Sequence, residues 1–115
     1  MAYDQELADR IRMIIGGDPV LTATLTEKKM FGGLAFLIGG NMAISASSRG
    51  GALIRTDPAD TGALTAAGNA TLAVMGGRTR QGWLRVTSED LETDEQLTKW
   101  VSRAVGYARS LPPKR

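Results

Sequence analysis

Glycine-separated apolar runs between residues 27 and 55 constrain the fold of this chain more than any other feature. The clearest runs are residues 34–38 and 42–47, and the spacers between neighbouring runs are two to four residues rich in glycine. Glycine supplies the positive φ that tight hairpins require. Because spacers this short cannot hold a crossover helix, the successive strands must be antiparallel.

Apolar residues at helical spacing predict a helix before these strands and another near the end of the chain. The first helix begins at the capping residue Asp4, and the last begins with a capping box of Thr93 and Gln96. A weaker middle helix begins at Asp57 and Pro58, a cap followed by the residue favoured at the first helical position. Three helices are therefore expected around the strands.

A last pair of strands, over residues 70–75 and 83–86, completes the predicted order α-β-β-β-α-β-β-α, with three or four strands before the middle helix. Antiparallel strands with segregated helices are typical of the α+β class. We expect a two-layer sandwich in which the helices cover one face of an antiparallel sheet, and a single domain over residues 1–115. The other face would meet solvent, a ligand or a second copy, so a homodimer is one expectation.

The composition excludes several kinds of chemistry. The chain has no cysteine and no histidine, so disulfides, thiolate metal sites and imidazole acid–base catalysis are ruled out. We therefore expect no enzymatic activity and no cofactor. The net charge of +2 is weaker than the clustered excess of dedicated nucleic-acid binders.

The sequence also indicates a cytoplasmic protein. No apolar run approaches the ~20 residues of a membrane-spanning helix. The first residues are acidic and polar, whereas a signal peptide begins with basic residues.

Two basic segments are candidate binding sites. Residues 76–82, from Gly76 to Gly82, are predicted to form a glycine-rich loop, either a cradle for an anion or an ordinary hairpin connection. Two adjacent lysines precede the first apolar runs, where they would contact nucleic-acid phosphates or protect a sheet edge. The residues assigned to anion or nucleic-acid contacts are Lys28, Lys29, Arg78, Arg80 and Arg85.

Residues 27–37, with residues 40–43 after them, resemble the signature of the TfoX/Sxy N-terminal domain. The centre of this signature is Lys29, Met30, Phe31, Gly32 and Gly33. The resemblance extends over residues 3–114, and it implies an α+β domain with the element order given above. It also implies a bacterial regulator of competence genes, a transcriptional coactivator that works with a DNA-bound regulator and has no assigned catalytic residues.

The leading hypothesis is therefore a non-enzymatic binding domain that regulates transcription through contacts with a protein partner. Two alternatives remain open. One is direct nucleic-acid binding through the basic residues above, and the other is binding of a small ligand at the loop of residues 76–82.

Overall fold

Six strands form one antiparallel sheet accompanied by four helices in the computed structural model, which describes residues 4–30, 33–48, 50–68, 70–75 and 77–112. The helices are α1 (Gln5–Gly16), α2 (Pro19–Thr24), α3 (Thr61–Ala66) and α4 (Asp94–Ser110). The strands are β1 (Leu25–Met30), β2 (Gly33–Ile38), β3 (Asn41–Ser47), β4 (Ala52–Arg55), β5 (Thr71–Met75) and β6 (Arg78–Val86). Their order in the sheet is β1-β2-β3-β4-β6-β5. The predicted α+β class and element order are confirmed, with four strands before α3.

The starts of α1 and α4 follow the predicted capping chemistry, whereas Asp57 caps a short 3₁₀ helix, Pro58–Asp60, that precedes α3. Asp4 accepts a hydrogen bond from the Leu7 backbone N–H at 3.1 Å, and Thr93 and Gln96 form the complete capping box of α4. The helix α2 is one that the sequence patterns did not predict.

Among the described helices, none combines the length and the apolar composition that a membrane span requires.

The larger hydrophobic core lies between the sheet and the helices α1 and α4. Side chains alternate between the two faces of a strand, so every second residue of β2 and β4 enters this core. In β3 the adjacent residues Ala43 and Ile44 both enter it, at a register shift between β2 and β3. Burying each large aliphatic side chain stabilises the fold by roughly 1.5–3 kcal/mol. Fully buried members from both layers are Ile11, Phe36, Ile44, Ile54, Leu84, Leu97 and Val101.

The sheet face turned away from this core carries a smaller cluster. Its members are Ala35, Leu37, Met42, Leu53 and Ala73, with Met30 and Trp83 packed against them. The five core members are each no more than 7% exposed. The homodimer expected to cover this face stays a prediction.

A bidentate ion pair fastens the edge strand β1 to α1. The Nε and Nη2 atoms of Arg12 each donate to Glu27 at 2.7 Å, and Nη1 donates to Asp9 at 2.7 Å. Hydrogen bonding from Arg12 holds the pKa of the Glu27 carboxyl below its usual range. The same guanidinium lies 5.9 Å from the ring centroid of Phe36, in the adjacent strand.

Because of the Arg12–Glu27 pair, we expect the stability of the protein to fall at acid pH. A carboxyl group whose pKa is lower in the folded state than in the unfolded state stabilises the fold at pH values above its unfolded pKa. That stabilisation is lost as the pH falls through the folded pKa. We expect Glu27→Gln to lower the free energy of unfolding by about 0.5–1 kcal/mol at pH 7, since both partners are partly exposed. The difference in stability between the variant and the wild type should vanish well below pH 4.5, the ordinary pKa of a glutamate carboxyl.

Unfolding of the wild type and of Glu27→Gln by guanidinium chloride at pH 7 and pH 3 measures this effect. The exposed carboxylate of Glu89 provides the matched control, and Glu89→Gln should leave stability unchanged at both pH values. An equal loss for Glu27→Gln at the two pH values would contradict the prediction.

The position of Gly33 requires glycine because β2 and β3 approach each other closely there. It begins β2, pairs with Met30 of β1 and lies opposite Ser47 of β3. A Cβ added to Gly33 would collide with the carbonyl group of Ala46. Both neighbouring strands flank this residue, so the obstructing backbone cannot move away cheaply.

We expect Gly33→Ala to destabilise the protein by at least 1–3 kcal/mol, the usual cost of overpacking. Gly106 is the matched control because a Cβ there would meet no atom within 4 Å. It lies in the interior of α4, where Gly→Ala stabilises a helix by about 1 kcal/mol. Chemical denaturation of both variants compares them, and wild-type stability of Gly33→Ala would show the proposed collision to be absent.

Candidate binding sites

The family-like motif forms the adjoining ends of β1 and β2. Lys29 and Met30 close β1, Gly33 opens β2, and Phe31 and Gly32 lie outside the described residues. Lys29 is opposite Leu34 of the larger core, whereas Lys28 is opposite Ala35 of the smaller cluster. The two adjacent lysines therefore belong to opposite faces of the sheet.

The predicted basic residues do not gather into one patch. Lys28 and Lys29 lie on the edge strand β1, whereas Arg78, Arg80 and Arg85 lie on β6, four strand positions away. At roughly 4.8 Å per strand, that separation is about 19 Å. The Arg85 guanidinium donates to Ser47 Oγ at 3.1 Å, so it is directed along the sheet toward β3.

The loop predicted over residues 76–82 is wrong for most of its length. Arg78 begins β6, and residues 78–82 continue as strand. Arg78 pairs with Met75 and Thr79 pairs with Val74, so the start of β6 is hydrogen-bonded to β5. The pairing then advances two residues along β5 and five along β6, which is a bulge. The extra residues that suggested a loop are accommodated in this bulge.

Gly82 fixes the bulge against the end of β4. Its N–H donates to Thr61 Oγ1 at 2.7 Å, and its carbonyl accepts from the Thr56 N–H at 2.7 Å. Its φ is +87°, and a Cβ would come within 2.7 Å of the Thr56 carbonyl oxygen. Only glycine meets both conditions without strain.

Arg55 and Trp83, the residues next to these anchored positions, form a cluster with Tyr107 of α4. The Arg55 Cζ atom lies 5.1 Å from the Trp83 ring centroid and 5.6 Å from that of Tyr107. All three side chains are half-buried. We call Arg55, Trp83 and Tyr107 the arginine–aromatic cluster.

Sequence reasoning missed this cluster. It assigned no role to Arg55 or Tyr107. The three residues come from β4, β6 and α4. They meet because Arg55 pairs with Trp83 in the sheet and because α4 brings Tyr107 next to them. No local spacing in the sequence encodes that contact.

A cleft of about 320 Å³ lies elsewhere, between α3 and α4. Leu64 and Trp100 give it an apolar part, and Glu95, Lys99 and Arg103 are among its charged lining residues. Among the described residues, no group of three or more histidine, cysteine, aspartate or glutamate side chains could hold a metal ion.

The family model of the TfoX N-terminal domain matches residues 21–108. The chain belongs to this family. The match to the TfoX N-terminal domain includes all six strands, most of α4 and the whole arginine–aromatic cluster. Comparison with curated proteins and with solved structures found no significant match.

Replacement of Gly82 should disturb the arginine–aromatic cluster. We expect Gly82→Ala to cost about 2–4 kcal/mol of stability, since it combines left-handed strain with a backbone collision. Gly77→Ala is the control, because Gly77 also has positive φ (+80°) but a Cβ there meets nothing within 4 Å. That variant should lose about 1–2 kcal/mol.

Denaturation gives the two stabilities, and the indole N–H signal of Trp83 in NMR spectra reports the cluster itself. The Trp83 signal should move in Gly82→Ala and stay in place in Gly77→Ala. Equal losses of stability with no movement of the Trp83 signal would refute the positioning role of Gly82.

Proposed function

We propose that this protein is a non-enzymatic binding module that regulates transcription, in the manner implied for TfoX/Sxy competence regulators, by contacting a protein partner in the cytoplasm. The observation that carries the proposal is the family match over residues 21–108. It covers the whole sheet and most of α4, so the matched part is most of the fold rather than a short motif, and only α1 and the first residues of α2 precede it.

The side-chain chemistry supports binding rather than catalysis. A chain without cysteine or histidine lacks the commonest nucleophile–base pairs. Several polar groups of the described residues already have structural partners: Asp4, Asp57 and Thr93 cap helical segments, and Arg12 and Glu27 join α1 to β1.

The distribution of basic residues favours a protein partner over nucleic acid. Proteins that bind nucleic acid by charge usually present a continuous basic patch or stripe. Here Lys28 and Lys29 lie on opposite faces of one sheet edge, and Arg78 and Arg80 lie on the far side of the sheet. A phosphate backbone could not follow one short path past all of them.

Affinity purification of the tagged chain from its native cell, followed by mass spectrometry, tests the proposal. We expect enrichment of RNA polymerase subunits or of a DNA-bound regulator over a tag-only control. Nuclease treatment should leave that enrichment unchanged. Recovery of metabolic enzymes alone would contradict the proposal, and loss of capture after nuclease treatment would favour direct nucleic-acid binding.

A further inference from the structure

The arginine–aromatic cluster holds one cation at a defined place. Both ring centroids lie within the ~6 Å at which a guanidinium is attracted to an aromatic ring. The rings belong to different layers, since Trp83 is in the sheet and Tyr107 is in α4. The head group of Arg55 is therefore fixed from two directions, which a surface arginine on a flexible stem is not.

The hydrogen-bonding capacity of Arg55 is unused by the described part of the chain. Arg10 and Arg12 donate to carboxylates, and Arg85 donates to a serine hydroxyl. Arg55 has no ion pair or side-chain hydrogen bond with any described residue. A guanidinium carries five N–H donors in a planar fork. A side chain needed only to fill space between sheet and helix would not require these donors.

Two short hydrogen bonds hold the backbone beside the cluster. Thr56 follows Arg55 and Gly82 precedes Trp83, and the two backbones are joined by the 2.7 Å hydrogen bond from Thr56 N–H to Gly82 C=O. A second 2.7 Å hydrogen bond joins Gly82 N–H to Thr61. A group held in place before binding loses less conformational entropy when the ligand arrives.

A carboxylate suits this site better than other ligands. Its two oxygens match the guanidinium fork in a bidentate geometry. A single cation balances the single charge of a carboxylate, whereas phosphate carries more charge and more acceptor oxygens. Stacking of a nucleobase is disfavoured because Trp83 already contacts Arg55 and packs against the smaller cluster of the sheet.

We propose that Arg55, positioned by Trp83 and Tyr107, binds the carboxylate of an acidic side chain on the protein partner. The identity of the occupant as a protein side chain rests on the proposed function. The carboxylate chemistry of Arg55 does not, because it follows from the geometry of this chain alone.

Titration of ¹⁵N-labelled protein with N-acetyl-glutamate methylamide, at ionic strength held constant with sodium chloride, tests that chemistry. The Trp83 indole signal should shift and saturate. The Trp100 signal is an internal control, because Arg103 lies 5.4 Å from its ring in a similar contact. Equal, non-saturating shifts of both signals would mean general ion effects and would overturn the proposal.

Two matched variants assign the binding to Arg55. Arg55→Lys keeps the positive charge but lacks the fork, so binding of the probe should weaken at least tenfold. Arg103→Lys should bind like the wild type. Spectra of both variants establish that they are folded, and unchanged binding by folded Arg55→Lys would overturn the proposal.

Inorganic phosphate gives a second test on the wild-type protein. Weaker binding of phosphate than of the carboxylate probe supports the assigned ligand class. Tighter binding of phosphate through Arg55 would overturn it.

The same variants separate this inference from the proposed function. If wild-type protein captures a transcription protein, capture should fall at least tenfold with Arg55→Lys and persist with Arg103→Lys. Undiminished capture by Arg55→Lys would overturn the assignment of the partner's acidic side chain. If the wild type captures no such protein, the proposed function fails while the titration still decides whether Arg55 binds carboxylates.

Discussion

Helix α4 packs its apolar face across β3, a strand whose seven residues are all buried. This contact places the helix layer, because α1 then packs against both α4 and β3. It also brings Tyr107 to the end of β4, where the side chain meets Arg55. The sheet's register and the helix's amphipathic spacing therefore determine together where a charged group can be held.

The parts of the fold that follow local rules could be predicted from the sequence. The capping box at Thr93 and the glycine-bounded strands depend on neighbouring residues, so patterns over a few positions identify them. The helix α2 is only six residues long, which gives apolar periodicity too little length to show. Residues 78–82 looked like a loop because glycine and arginine are poor indicators of strand. The start of this segment is a strand because Arg78 and Thr79 pair with β5, a contact that no local pattern encodes.

The candidate site could not be predicted for a different reason. Its members are distant in sequence, and their contact depends on a bulge in β6 and on where α4 crosses the sheet. The basic residues proposed from the sequence do not form one patch, because closeness along the chain does not place side chains on the same part of the sheet. Lys28 and Lys29 lie on opposite faces of β1, and three strands separate β1 from the arginines of β6.

The unequal sizes of the two hydrophobic clusters have a consequence for how such a domain can diversify. Most of the buried apolar residues lie between sheet and helices, and the smaller cluster on the reverse side has only five described buried members. Side chains bordering that reverse side can therefore be exchanged at modest energetic cost. A scaffold built in this way can acquire a new binding preference while its folding determinants stay untouched.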